Sequence, residues 1–141
     1  MIQRIQSVWL LVAAIVMASL FYFPTYEFTG GSKPPLTIGE DFLAIIMTAI
    51  SIGLSLFTIF NFKKRKQQTG LTWLNILLCI GLQVWLVVRV NNITTSGINM
   101  SIPGHYWIGL FIPFITVILL FLAKSGINKD EKLVKSLDRL R

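Results

Sequence analysis

Few residues in this chain can carry chemistry, and their spacing limits what they can do together. His105 is the only histidine and Cys79 the only cysteine. A bis-histidine haem, a disulfide, a CxxC pair and a histidine–cysteine zinc site are therefore each out of reach within one chain. No cofactor is expected. A Ser–His–Asp arrangement would need His105 to meet Glu40 or Asp41, and nothing in the spacing brings them together. Phosphate loops and dinucleotide glycines are absent, so the expectation is a protein that is not an enzyme. A patterned polar set remains: Asn75, Cys79 and Gln83 step by four and so share one helix face. They lie within an apolar run, where a polar group is costly unless partnered. That face should point inward or toward a partner protein. Arg89 lies near the end of the same run and is expected to snorkel to the membrane interface, the alternative being a buried functional arginine.

The elements that must position these residues are strongly apolar. Of 141 residues, 54% are hydrophobic and only 13% charged, about half the charged fraction of a soluble domain. Four apolar runs, at about 5–23, 42–60, 71–90 and 106–123, are each long enough to cross a bilayer as a helix. The first has the look of a signal peptide, but it ends in Phe21-Tyr-Phe-Pro24, bulky where cleavage needs small residues. It reads as a retained span, with Trp9 near one interface and Tyr22 and Tyr26 near the other. Pro24 to Gly39 reads as a loop. Its alternating Thr25–Thr29 stretch is assigned no sheet, because a lone short strand has no partner. Thr37-Ile-Gly-Glu40 matches a capping box for the second span, with Asp41 adding charge at the helix start. Within that span Ala44, Thr48, Ser51 and Ser55 form a face of small residues suited to close helix packing. Intramolecular packing is the expected use and a dimer seam the alternative. Asn91 to His105 reads as a second outer loop, with His105 an interfacial residue beside Tyr106 and Trp107. Pro113 should kink the fourth span.

Charge sets the orientation. The second and third spans are separated by Asn61-Phe-Lys-Lys-Arg-Lys-Gln-Gln-Thr-Gly70, a cationic loop that resists translocation. Arg4, the four cations of this loop and the six from Lys124 onward make eleven of the thirteen lysines and arginines. Their position on one side places both termini in the cytoplasm. The net charge of +7 thus reports topology, and nucleic acid is not an expected partner. The segment 124–141 changes character. A helix start is readable at Asn128-Lys-Asp-Glu131. Beyond it Leu133, Val134, Leu137 and Leu140 share one face, with Lys132, Lys135, Arg139 and Arg141 around them. This short amphipathic helix either lies on the anionic leaflet or docks a partner.

Two stretches taken together resemble a known family. They are Met1-Ile-Gln-Arg-Ile-Gln-Ser-Val-Trp-Leu-Leu-Val-Ala-Ala and the ending Lys129-Asp-Glu-Lys-Leu-Val-Lys-Ser-Leu-Asp-Arg-Leu-Arg141. With the four spans, the chain resembles an uncharacterised four-helix inner-membrane family of Bacteroidota, of the domain of unknown function 4293 type. The resemblance implies a bacterial inner membrane and brings no catalytic residues. The expected fold is an all-α, four-helix transmembrane bundle with neighbouring helices antiparallel. The expected function is a non-enzymatic accessory or structural subunit that binds other membrane proteins. The alternative is a small homo-oligomeric transporter or channel-like protein with Asn75, Gln83 and Arg89 along a path; an outer-face enzyme comes third.

Overall fold

A computed structural model describes residues 2–29, 33–61, 64–95 and 103–138. Four helices form an up-and-down bundle: α1 Ile2–Ser19, α2 Phe42–Phe60, α3 Arg65–Thr95 and α4 Ile108–Asp138. Each packs on its sequence neighbour, and α4 closes the ring against α1. α2, α3 and α4 are long and apolar enough to cross a membrane. α1 has 18 residues and is about 27 Å long at 1.5 Å per residue, close to the hydrocarbon thickness.

The core is a stripe from each helix. Leu10, Ala13, Met17 and Leu20 come from α1 and the turn after it, Ala44 from α2, Ile76, Leu82 and Leu86 from α3, and Leu110, Leu120 and Ala123 from α4. The 7-residue recurrence in α1 is the seam geometry of packed helices. Large side chains on the outer faces, such as Ile15, Leu77, Val84, Phe114 and Ile118, are exposed. In water such a surface would be untenable; facing lipid, it is the expected partition.

Several boundaries differ from the sequence expectations. α1 ends at Ser19 rather than Phe23, and Leu20, Phe21 and Tyr22 donate to carbonyls three residues back. Pro24 disfavours helix in the residue before it, so the chain tightens and turns. The connection between α2 and α3 is short, because Arg65–Gly70 already belongs to α3. Phe62 and Lys63 of this cationic connection lie outside the described residues. α4 runs without interruption from the span into the basic segment. The capping sequence at Asn128 therefore starts no new helix, since the preceding turn already supplies its hydrogen-bond acceptors. Pro113 falls in the second turn of α4, and the helix continues through it.

The α1–α2 and α3–α4 connections pair with each other. Strand β1, Tyr26–Phe28, lies antiparallel to β2, Gly104–Tyr106, with Glu27 opposite His105. The alternating Thr25–Thr29 stretch thus has the partner that seemed to be lacking, and it comes from the other connection, 78 residues further on at the Glu27–His105 pair. Leu36 folds back to bridge Tyr26. Tyr26, Phe28 and Leu36 pack with Val90 of α3 into a small second core capping this end of the bundle. Gly104 and Gly109 are required here. A Cβ at Gly104 would collide with the Glu27 carbonyl and the Tyr26 ring, and one at Gly109 with the Pro24 carbonyl.

Candidate functional site

The small-residue face of α2 and the polar face of α3 meet. Ala44, Thr48, Ser51 and Ser55 are all buried, as are Asn75 and Cys79. Ser51 Oγ donates to Asn75 Oδ1 at 2.7 Å. Asn75 Nδ2 donates to Ser55 Oγ at 2.8 Å and to the Ser51 carbonyl at 3.3 Å. Ser51 Oγ and Cys79 Sγ are 3.3 Å apart. Cys79 Sγ also lies 3.8 Å from Asn75 Oδ1, to which it donates, so Ser51, Asn75 and Cys79 form one polar group between α2 and α3. Thr48 and Thr58 each donate to the carbonyl four residues back in α2, while Gln68 Nε2 reaches the Thr58 carbonyl at 3.3 Å. Gln83 shares the face of Asn75 but stays out of this network, and its Oε1 is buried without a partner among the described residues.

A second polar cluster closes the β-ribbon end. Asp41 is the true cap of α2: its Oδ1 accepts from the backbone N–H of Leu43 and Ala44. Thr37 makes no side-chain cap, and Ile38–Glu40 form a single 3₁₀ turn instead of the first turn of α2. The other oxygen of Asp41 receives Trp85 Nε1 at 2.8 Å and faces Arg89 Nε at 3.3 Å. Arg89 also donates to the Thr37 carbonyl at 3.1 Å and approaches Glu40 at 3.9 Å. Its side chain is only 15% exposed. Arg89 is thus a clamp between α3 and the start of α2. A guanidinium can serve a carboxylate and a carbonyl at once because its donors form a fixed fork.

His105 faces Glu27 at 3.5 Å across the ribbon, and Trp107 Nε1 also donates to that carboxylate. Glu40 and Asp41 are engaged by Arg89, so the histidine and these two acids occupy separate clusters. Among the described residues no three histidine, cysteine, aspartate or glutamate side chains gather as a metal site.

At the opposite end, α4 carries Lys124, Lys129 and Lys132 beyond its apolar span. Lys124 Nζ lies over the Trp73 ring at 3.6 Å from its centre, joining α4 to α3. Leu133 and Val134 are exposed. Arg139 and Leu140 lie outside the described residues, as do the side chains of Lys135 and Leu137. Sequence reasoning passed over Gln6, which is buried at this end. Its signal was available, because Gln6 occupies the first place of the stripe Leu10, Ala13, Met17, Leu20.

A ring of four apolar helices, three of them long and apolar enough to cross a membrane, with a polar network in an internal seam and further polar clusters at its two ends, defines an α-helical membrane protein. Residues 2–140 match the family model described as Domain of unknown function (DUF4293), and the chain belongs to that family. No curated protein and no solved structure is detectably similar to it.

Proposed function

We propose that the chain is a multi-pass inner-membrane protein with both termini cytoplasmic, acting as a non-enzymatic accessory or structural subunit for other membrane proteins. The observation that carries this reading is the Asn75–Ser51–Ser55 seam. It directs the polar groups of α2 and α3 at each other inside one chain, where a transport path would need them turned toward water. Arg89, the other candidate for such a path, is held by Asp41 and Thr37. With the small-residue face of α2 also consumed, the surface left for a partner is the outer apolar belt and the basic end of α4. A photo-crosslinking residue at Leu133 or Val134, activated in native membranes, should give discrete adducts with another membrane protein. Adducts only with a second copy of this chain, together with ion or solute flux in reconstituted vesicles, would overturn the accessory reading in favour of a homo-oligomeric transporter.

A further inference from the structure

Where α1 begins, α1 and α4 leave a groove of about 410 Å³ between them, lined by Gln6, Trp9, Leu122, Gly126, Lys129 and Leu133. Ser125 borders it as well. Gln6 is only 4% exposed, yet its Nε2 has no hydrogen-bond acceptor among the described residues. A buried amide donor without an acceptor is unfavourable and calls for an explanation. Gly126 is what lets the side chain lie so deep, since a Cβ there would come within 2.9 Å of Gln6 Cγ and 3.9 Å of Nε2. Charge completes the site. Lys129 also lines the adjoining surface of α4 together with Lys124 and Lys132, and among the described residues no acidic side chain lines either one.

An apolar wall, a buried donor without an acceptor, a hydroxyl and an ammonium group together match one ligand chemistry. We propose that this groove holds an anionic phospholipid. One acyl chain lies along Trp9 and Leu122, and the phosphate oxygens accept from Ser125 Oγ, from Lys129 Nζ and, with the buried amide turned toward the groove, from Gln6 Nε2. Soluble phosphate would satisfy the donors and leave the apolar wall bare. The surrounding bilayer supplies both halves in one molecule, and clustered lysines at its surface favour an anionic headgroup. The inference rests on the membrane-spanning reading, and it stands independently of the accessory role and of which leaflet this end occupies.

The test uses the purified full-length chain in mild detergent, titrated with phosphatidylglycerol, phosphatidylcholine or inorganic phosphate and read by native mass spectrometry and melting temperature. One phosphatidylglycerol should bind at least about fivefold more tightly than phosphatidylcholine, equivalent to about 1 kcal/mol for one lysine contact. Gln6→Leu should abolish that preference while leaving the lipid-free melting temperature unchanged or higher, because it removes an unpaired buried amide. Lys129→Ala should also weaken the preference, and Lys64→Ala, outside the groove, should not. Equal binding of the two lipids would overturn the proposal, as would displacement of phosphatidylglycerol by inorganic phosphate. So would a lower lipid-free melting temperature in Gln6→Leu, which would make the amide a structural group. A chain that does not span the membrane would be recognised separately, by surface labelling in cells.

Discussion

At the residue scale, the load falls on two side chains. Asn75, in the α2–α3 seam, has both its oxygen and its nitrogen engaged. Interhelical hydrogen bonds in membranes average about 0.6 kcal/mol and reach about 1.7. Asn75→Leu should therefore destabilise the bundle by about 1–2 kcal/mol in detergent unfolding. The loss is limited because Ser51 and Ser55 can turn back to carbonyls of their own helix. Cys79→Ala, which removes a weak donor, should cost less. Arg89 is the other such residue. Arg89→Ala leaves Asp41 without its guanidinium partner and should cost about 1.5–3 kcal/mol, the range for hydrogen bonds to charged groups. Arg89→Lys should recover only part of this, because a single ammonium cannot reproduce the fork that meets Asp41 and Thr37. Neither change should matter in the same way if these residues lined a path, where flux would move more than stability.

At the scale of elements, the start of α2 separates two roles of one carboxylate. Asp41 caps the helix and pairs with Arg89. Asp41→Asn should keep the cap, since asparagine is an equally good capping residue, and lose the pairing with Arg89 together with the acceptor of Trp85 Nε1. Asp41→Ala should lose both, with about 0.5–2 kcal/mol assignable to the cap. Thr37→Ala should change stability by no more than about 0.5 kcal/mol, as its hydroxyl caps nothing. Thermal unfolding of the three variants in one detergent resolves these contributions. The same stretch shows where sequence reading succeeds and fails. The four apolar runs were legible because hydrocarbon thickness imposes a length on any spanning helix, and the shared face of Asn75 and Cys79 followed from helical periodicity alone. Thr37 was favoured over Asp41 because the capping-box pattern is local, while the choice between them depends on Arg89, 52 residues from Thr37. The ribbon was missed for a similar reason. β1 and β2 are each three residues long, and neither carries a signal until the bundle brings the two connections to one end. Continuity of α4 past Lys124 was hidden by the change in composition, which alters what the helix faces without breaking it.

At the scale of the whole molecule, the two ends of the bundle differ in kind. One end is closed by the β-ribbon, the Arg89–Asp41 clamp and the aromatic group of Tyr26, Phe28 and Tyr106. The other carries the lysines of α4, the start of α3 and the beginning of α1. The orientation proposed above makes this polarity transmembrane, with the ribbon outside and the lysines in the cytoplasm. It is tested most directly by single cysteines placed in a Cys79→Ser background and labelled in intact cells with a membrane-impermeant thiol reagent. Cysteines at Lys33 and Pro103, exposed positions beside the ribbon, should label without permeabilisation. Cysteines at Gln67 and Lys132, exposed at the lysine end, should label only after it. Labelling of Gln67→Cys and Lys132→Cys in intact cells, with Lys33→Cys and Pro103→Cys protected, would contradict the orientation; labelling of all four only after permeabilisation would contradict a bundle that crosses the membrane at all.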